Sequence, residues 1–130
     1  MNKMRGVQAY AKVGIESQVL SASPHQLINL LFLNAESSIR AAMIHLQANN
    51  IAERGASISK AISIVQGGLQ AALDLETGGE VADNLYRLYD FVIRQLMEAN
   101  REQSAEKLEK ASEILEMIAS SWRSVGIGAN

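Results

Sequence analysis

The chain has 130 residues, of which 48% are hydrophobic and 20% are charged, and its formal net charge is −2. This length and composition favour a single folded domain over residues 1–130 and argue against a disordered chain. The small net charge gives a nucleic-acid partner little electrostatic support, and the absence of cysteine from the sequence excludes disulfides and cysteine-based metal sites.

The N-terminal segment, residues 1–22, is weakly patterned and is interrupted by two glycines. It has no continuous apolar region of the kind found in secretory signals. Val7 and Tyr10 are apolar and lie about one helical turn apart. We therefore expect a short, partly helical arm that packs onto the domain through these two residues. The alternative is a frayed terminus without a role.

The first helix is predicted to begin at Ser23-Pro24-His25-Gln26 and to end near Gln47. Ser23 and Gln26 have the spacing of a capping box, and Pro24 occupies the first helical position, where no amide donor is needed. Apolar residues then continue at helical spacing in two neighbouring stripes. No apolar run approaches the roughly 20 residues that span a bilayer, so no membrane insertion is expected.

The second helix is predicted to follow a turn at Asn49-Asn50, with Asn50 and Glu53 spaced as a cap pair. Its core stripe consists of Ile58, Ile62, Val65, Leu69 and Leu73. Gly67-Gly68 lies in the middle and costs about 1 kcal/mol per glycine relative to alanine. One interpretation is that another backbone approaches the helix closely at the two glycines. The alternative is that the pair lowers helix stability and is simply tolerated.

Gly78-Gly79 is predicted to end the second helix, because glycine adopts the left-handed conformation without strain. The third helix then runs from about Glu80 to Ala99, with Asn100 as a left-handed stop. Its core stripe is Val81, Leu85, Leu88, Val92, Leu96 and Ala99, and a second stripe is Ala82, Tyr86, Tyr89, Ile93 and Met97. A helix with two apolar stripes contacts several neighbours or offers a surface to a partner.

The fourth helix is predicted to be capped by Ser104 and to bury a face that includes Leu115 and Trp122. The turns are expected near 48–50, 76–79 and 100–104, and short turns make sequential helices antiparallel. The predicted fold class is therefore all-α: an antiparallel up-down four-helix bundle over 23–123. An N-terminal arm, 1–22, precedes it, and a mobile tail, 124–130, follows it.

No catalytic or metal site is visible in the sequence, and no cofactor is expected. A di-iron bundle needs Glu-x-x-His on two helices, and neither His25 nor His45 follows a glutamate at that spacing. His45 has no adjacent lysine to hold a phosphoryl group, so a structural role is favoured over phosphotransfer. Asp83, Asp90 and Glu98 are interpreted as a solvated face rather than a catalytic carboxylate cluster.

The first three helices carry more apolar residues than a four-helix bundle needs, which is about three per heptad. Either the flanking alanines and methionines are partly buried, or grooves between helices accept an apolar segment of another chain. In the second case the candidate binding residues are Ile64, Ala71, Leu75, Tyr86, Tyr89, Ile93 and Met97. Leu85, Leu88 and Leu115 are expected in the core.

Several short motifs occur in a specific order. They are Tyr10, Ala22-Ser23-Pro24-His25-Gln26-Leu27, Lys60-Ala61 with Ile64 and Leu69, and the late Trp122. The most specific stretch is Leu73-Asp74, Gly78-Gly79-Glu80-Val81-Ala82, Asn84-Leu85, Leu88-Tyr89-Asp90-Phe91, Leu96 and Ala99-Asn100. In this order and spacing the chain resembles the bacterial flagellar secretion chaperone family that is dedicated to flagellin. Phe32-Leu33-Asn34-Ala35 departs from the family's Tyr-Asp-Gly-Ala.

The resemblance implies a cytosolic, non-enzymatic chaperone that binds the disordered C-terminal segment of flagellin. It also implies that the chaperone prevents premature polymerisation and aids delivery to the flagellar type III export machinery. Val7 and Tyr10 would then form a lid over the client groove, or Tyr10 would itself contact the client. A helical adaptor or a secretion chaperone for another client is the alternative. Further flagellar regulators as partners, and a monomer or homodimer, are left open.

Overall fold

The computed structural model describes residues 22–125, which form four α-helices: α1 (Pro24–Gln47), α2 (Ile51–Ile64), α3 (Gly79–Glu102) and α4 (Ala105–Val125). A π-helical segment, Val65–Gln70, continues α2. Each helix packs on the next, and α1 also packs on α4, which closes an up-down antiparallel bundle. The predicted all-α fold class is confirmed. The predicted arm with Val7 and Tyr10, and the chain beyond 125, lie outside the described residues.

Two predicted helix starts are confirmed by their capping hydrogen bonds. At α1 the amide of Gln26 donates to Oγ of Ser23 at 3.2 Å, and the amide of Ser23 donates to Oε1 of Gln26 at 2.8 Å. At α4 the amide of Lys107 donates to Oγ of Ser104 at 3.1 Å. Both short polar side chains therefore supply acceptors to amides that have no partner within the helix.

α2 begins after the predicted Asn49-Asn50 turn, in which Asn49 has a φ of 61°, but the predicted capping hydrogen bond of the Asn50 side chain is absent. The predicted helix stop at Asn100 is wrong. α3 continues past Asn100 to a left-handed Gln103, whose φ is 56°. Asn100 accepts two hydrogen bonds from the buried guanidinium of Arg54, at its Oδ1 (3.1 Å) and its carbonyl (3.3 Å). Satisfying that buried charge explains why Asn100 remains helical.

The predicted second helix changes character at Gly67-Gly68. From Val65 to Gln70 the chain follows a π-helix, whose i→i+5 turns are wider than those of an α-helix. A Cβ on Gly68 would lie 2.9 Å from Cδ2 of Leu31 on α1, so a side chain, and not the predicted backbone, makes the close approach. The segment also turns Gln70 inward, where its Nε2 donates to Oδ1 of Asp90 at 2.9 Å.

The glycine pair belongs to the start of α3 and does not end the preceding helix as predicted. Gly79 has a φ of +61° and is the first residue of α3. A Cβ on Gly78 would overlap the carbonyl oxygen of Asp74 and would lie 2.5 Å from Cβ of Ala82. The turn is further held by Asp74, whose side chain accepts a hydrogen bond from the hydroxyl of Thr77 at 2.5 Å. That bond lowers the pKa of Asp74.

The core lies along the bundle axis and receives side chains from all four helices. Its largest fully buried members are Phe32, Leu31, Ile39, Ile58, Ile64, Leu96, Leu108, Leu115, Val65 and Val92. Leu115 is therefore a core residue as predicted. Leu85 and Leu88 are only partly buried and pack against the edge of the core.

α1 is the most apolar of the described helices. By length and mean hydropathy alone it could cross a bilayer, although its sequence has no continuous apolar run of that length. In the structure, 44% of its apolar window is buried inside the bundle. Leu31, Ala35 and Ile39 are completely buried there, which is the behaviour of a core helix.

Glu36 is a buried carboxyl on the side of α1 that faces α4. Its side chain is hydrogen-bonded to that of Glu116, which also pairs with Arg123 at 2.8 Å. Burial raises the pKa of Glu36 to about 7, with further contributions from the hydrogen bond and the charge of Glu116; Arg40 and Arg123 act in the opposite direction. Hydrogen bonds from Arg123 and Glu36 lower the pKa of Glu116. Below about pH 7 Glu36 therefore holds a proton, which it donates to Glu116.

The free energy of unfolding is expected to fall as the pH rises from about 4.5 to 7 because of this pair. A raised native pKa means that the folded chain holds the proton more tightly than the unfolded chain, so the stabilisation is complete below the ordinary pKa and is lost through pH 7. Glu36→Gln keeps a neutral donor towards Glu116 and should flatten this dependence. Urea titrations from pH 4.5 to 8 measure it.

Glu113→Gln is the matched control, because Glu113 lies on α4 three residues before Glu116 but its side chain is 73% exposed. The control should follow the pH dependence of the parent chain. A parent curve that is flat between pH 4.5 and 7, or a Glu36→Gln curve with the same slope, would contradict the protonation of Glu36.

Candidate binding cleft

An apolar cleft of about 400 Å³ opens at the end of the bundle where α1 and α3 begin and α2 and α4 end. Its surface is almost entirely apolar. It is lined by Ile28, Phe32, Leu69, Ala72, Leu73, Val81, Leu85, Tyr89, Ile118, Ser121, Trp122 and Val125. α1, α3, α4 and the π-helical segment all contribute to it, so the cleft depends on how these elements pack together.

The cleft has a buried floor and an exposed rim. Phe32 and Leu69 at its floor are each 2% exposed, whereas Val81 and Val125 at its rim are 69% and 73% exposed. Exposed apolar residues beside an apolar depression form the kind of contiguous patch that usually marks an interaction site. The arrangement can bury aliphatic or aromatic side chains of a partner.

One wall of the cleft is fixed by a paired contact between the start of α1 and the end of α4. The rings of His25 and Trp122 stack with centroids 4.5 Å apart and an interplanar angle of 7°. Nε2 of His25 donates to the carbonyl of Trp122 at 2.9 Å, and Nε1 of Trp122 donates to the carbonyl of His25 at 3.1 Å. The predicted first-turn histidine therefore positions the indole that lines the cleft.

A second polar contact ties the π-helical segment to α3, and both of these elements contribute residues to the cleft. Nε2 of Gln70, which is buried, donates to the carbonyl of Tyr86 at 3.1 Å as well as to Asp90. Asp90 is thus tied to the π-helical segment and does not lie on a freely solvated face as predicted. Glu98 is likewise engaged, since it accepts a hydrogen bond from Nζ of Lys107 at 2.6 Å.

Among the residues that line the cleft, Tyr89 carries the titratable side chain. Burial raises the pKa of its phenol, which keeps the group neutral. Between residues 22 and 125 no three His, Asp or Glu side chains are grouped so as to hold a metal ion. Nδ1 of His45 is buried without a hydrogen-bond partner in this part of the chain, but His45 does not line the cleft.

The structure brings one of the predicted binding residues, Tyr89, into the cleft. Ile64 and Ile93 are packed in the core, 1% and 7% exposed. The other four lie outside the cleft: Ala71 is half-buried, and Leu75, Tyr86 and Met97 are exposed. A role for these residues in client binding stays a prediction.

Sequence reasoning missed most of the cleft because it assigned the first stripe of α3 to the core. Val81 and Leu85 belong to that stripe, but they lie at the end of the bundle, where no other helix covers them completely. The feature of the sequence that could have identified them is their position in the first two turns of a helix, at one end of the predicted bundle. Trp122 and Ile118 were likewise predicted only as core residues of the last helix.

Comparisons with a family model and with individual known proteins point to the same family. The family model described as flagellar protein FliS matches residues 6–129. The flagellar secretion chaperone FliS of Salmonella typhimurium is 45% identical over 120 residues, covering 92% of this chain and 89% of the relative. FliS of Escherichia coli is 38% identical, covering 95% and 90% of the two chains, and FliSB of Pseudomonas aeruginosa is 41% identical, covering 94% and 96%.

Proposed function

The chain belongs to the FliS family of flagellar secretion chaperones, and from this premise we propose that its client is the disordered C-terminal segment of flagellin. A chaperone role in flagellar export follows from the family. The chaperone covers this segment in the cytosol, prevents premature polymerisation and aids delivery of flagellin to the type III export apparatus. Binding by burial needs no chemical step, and the family is one of chaperones rather than enzymes.

The observation that supports this proposal is the apolar cleft with its exposed rim. A segment that is ordered only in a filament presents apolar side chains to water before assembly. Burying them stabilises a complex by about 25 cal/mol per Å² of apolar surface, from which the cost of ordering the segment is subtracted. A cleft lined by α1, α3, α4 and the π-helical segment can receive several such side chains at once.

The proposal is tested by titrating the chain with a peptide of the flagellin C-terminal segment. Trp122 is the only tryptophan in the sequence and it lines the cleft, so its emission reports on occupancy. We expect saturable binding in calorimetry together with a change in Trp122 emission, and neither with a scrambled peptide. Absence of binding, with another secreted protein recovered from lysate in its place, would support the alternative of a chaperone for a different client.

We further propose that the N-terminal segment acts as a lid on the cleft. The chain enters the described structure at Ala22, which packs against the core at the start of α1, the same end of the bundle as the cleft. The segment before it carries the apolar pair Val7 and Tyr10. Burial of one tyrosine contributes at most a few kcal/mol before its ordering entropy is subtracted, so a client with several apolar side chains can displace it.

Deletion of residues 1–16 is expected to leave a folded bundle that binds the flagellin peptide at least as tightly and associates faster, since no lid must leave. Tyr10→Ala should change the kinetics in the same direction. Stopped-flow measurement of Trp122 emission gives the rates. Slower association and weaker affinity in both variants would place Tyr10 in the client contact and refute the lid.

A further inference from the structure

Three polar side-chain groups occur among the residues that line the cleft: the hydroxyls of Tyr89 and Ser121 and the indole N–H of Trp122. The indole is already engaged, because it donates to the carbonyl of His25 at 3.1 Å. Ser121 is exposed, so solvent reaches its hydroxyl from outside the cleft. Tyr89 is only 3% exposed and is therefore the buried polar residue of the cleft.

The Tyr89 hydroxyl has no hydrogen-bond partner in the part of the chain that the structure describes. Two acceptors on the same helix, the carbonyl of Tyr86 and the carboxylate of Asp90, receive Nε2 of Gln70 instead. The hydroxyl is also not sealed in the core, because the enclosed side-chain polar atom without a partner among the described residues is Nδ1 of His45. Since Tyr89 lines the cleft, its hydroxyl reaches open space there.

A hydroxyl in this position affects which molecules the cleft accepts. Water in the open cleft can solvate it, and a molecule that fills the cleft displaces this water. A wholly apolar occupant then leaves the hydroxyl desolvated and unpaired, which weakens binding, whereas an occupant with a well-placed acceptor does not incur this cost. Burial raises the pKa of the phenol, so the group remains a neutral donor.

We propose that the Tyr89 hydroxyl is a specificity determinant for the client segment. It donates a hydrogen bond to a neutral polar side chain (asparagine, glutamine, serine or threonine) that interrupts the apolar stripe of the client. The inference rests on the proposed function and adds to it the chemistry of one client position.

The surroundings of the hydroxyl favour a neutral side chain over other acceptors. A carboxylate would bring a charge into an almost entirely apolar cleft, which is costly without an opposite charge beside it. The backbone of the client also needs partners when it leaves water, and a helix supplies them internally. Its backbone carbonyls are then occupied, so a side chain is left to accept the bond from Tyr89.

The test begins with Tyr89→Phe, which keeps the ring in the cleft and removes only the hydroxyl. We expect the affinity for the flagellin C-terminal peptide to fall about tenfold, because the polar group of the client loses its partner on burial. Stability in urea should not fall, since the hydroxyl makes no hydrogen bond within the described bundle. Tyr86→Phe is the matched control, because Tyr86 lies one turn earlier on α3, is 38% exposed and does not line the cleft. The control should bind like the parent chain.

A double-mutant cycle then identifies the client position. Each neutral polar residue of the flagellin peptide is replaced in turn by alanine, and each peptide is titrated into the parent chain and into Tyr89→Phe. One replacement should weaken binding to the parent and have little further effect in Tyr89→Phe. Unchanged affinity of Tyr89→Phe would overturn the inference, and so would a cycle in which no peptide position is coupled to Tyr89.

A flagellin peptide that does not bind the parent chain would refute the proposed client only. The inference is then decided by tetralin and 1-tetralone, which share a bicyclic skeleton and differ in one neutral carbonyl. By NMR titration, tetralone should bind the parent chain and Tyr86→Phe about threefold more tightly than tetralin, and this preference should be absent in Tyr89→Phe. Equal affinities of the two compounds for the parent chain, or a preference that persists in Tyr89→Phe, would overturn the inference.

Discussion

Leu115→Ala is expected to lower the free energy of unfolding by about 2–5 kcal/mol, since truncation of a buried leucine loses apolar burial and leaves a cavity. The Leu115 side chain is completely buried and belongs to the core cluster that joins all four helices. Urea titration followed by circular dichroism should show a lower midpoint with an unchanged dependence on denaturant. Because the stability of a domain is typically 5–15 kcal/mol, this change is a large fraction of the total.

Met117→Ala serves as the control for Leu115→Ala. Met117 lies on the same helix two residues later, but it is 59% exposed. Its truncation should alter the free energy of unfolding by no more than about 0.5 kcal/mol. If Leu115→Ala cost only a few tenths of a kcal/mol, α4 would have to be rotated relative to the core.

The fold could be predicted because its signals are local and repeated. Each helix has an apolar stripe that continues over several helical turns, and the predicted connections between helices are short. The number, order and direction of the helices therefore follow from the spacing of apolar residues. The caps at Ser23 and Ser104 could also be predicted from the sequence, since each hydroxyl accepts a hydrogen bond from an amide only three residues away. These features do not depend on contacts between distant parts of the chain.

Features that depend on distant contacts could not be predicted. Asn100 was interpreted as a helix stop by residue type, but Arg54, on another helix, holds it in the helix. In the π-helical segment Gly68 packs closely against Leu31 of α1, and the apolar periodicity of the sequence does not predict this contact. From the sequence alone Glu36 is similarly a polar residue on a helix, and its contact with Glu116 is visible only in the structure.

The site was harder to predict than the core because periodicity identifies apolar faces and not where those faces are left uncovered. Ile93 is a predicted binding residue because of its place in the second stripe, yet it is 7% exposed, so Ile93→Asp would place a charge in the core. Val81 was assigned to the core and is 69% exposed at the rim of the cleft. A substitution at Val81, and not at Ile93, therefore tests client binding without disturbing the core.

Val81→Gln is expected to weaken binding of the flagellin peptide by about 10- to 100-fold while leaving the bundle as stable as before. The substitution removes an apolar contact and forces an amide against apolar side chains in the complex, which costs about 1–3 kcal/mol. In the free chain the position is largely solvated, and glutamine is a better helix former than valine. The substitution introduces no charge. Calorimetric titration and urea unfolding of the same preparation measure the two effects.

Ile51→Gln is the matched control for Val81→Gln, because it replaces an equally exposed β-branched residue, 64% against 69%, near the start of a helix. Ile51 begins α2 at the other end of the bundle and does not line the cleft. Its affinity for the flagellin peptide should equal that of the parent chain. Equal losses in both variants would mean that the peptide binds exposed apolar residues without preference. No loss in either would place the client contact elsewhere, with exposed Leu75, Tyr86 and Met97 as the next candidates.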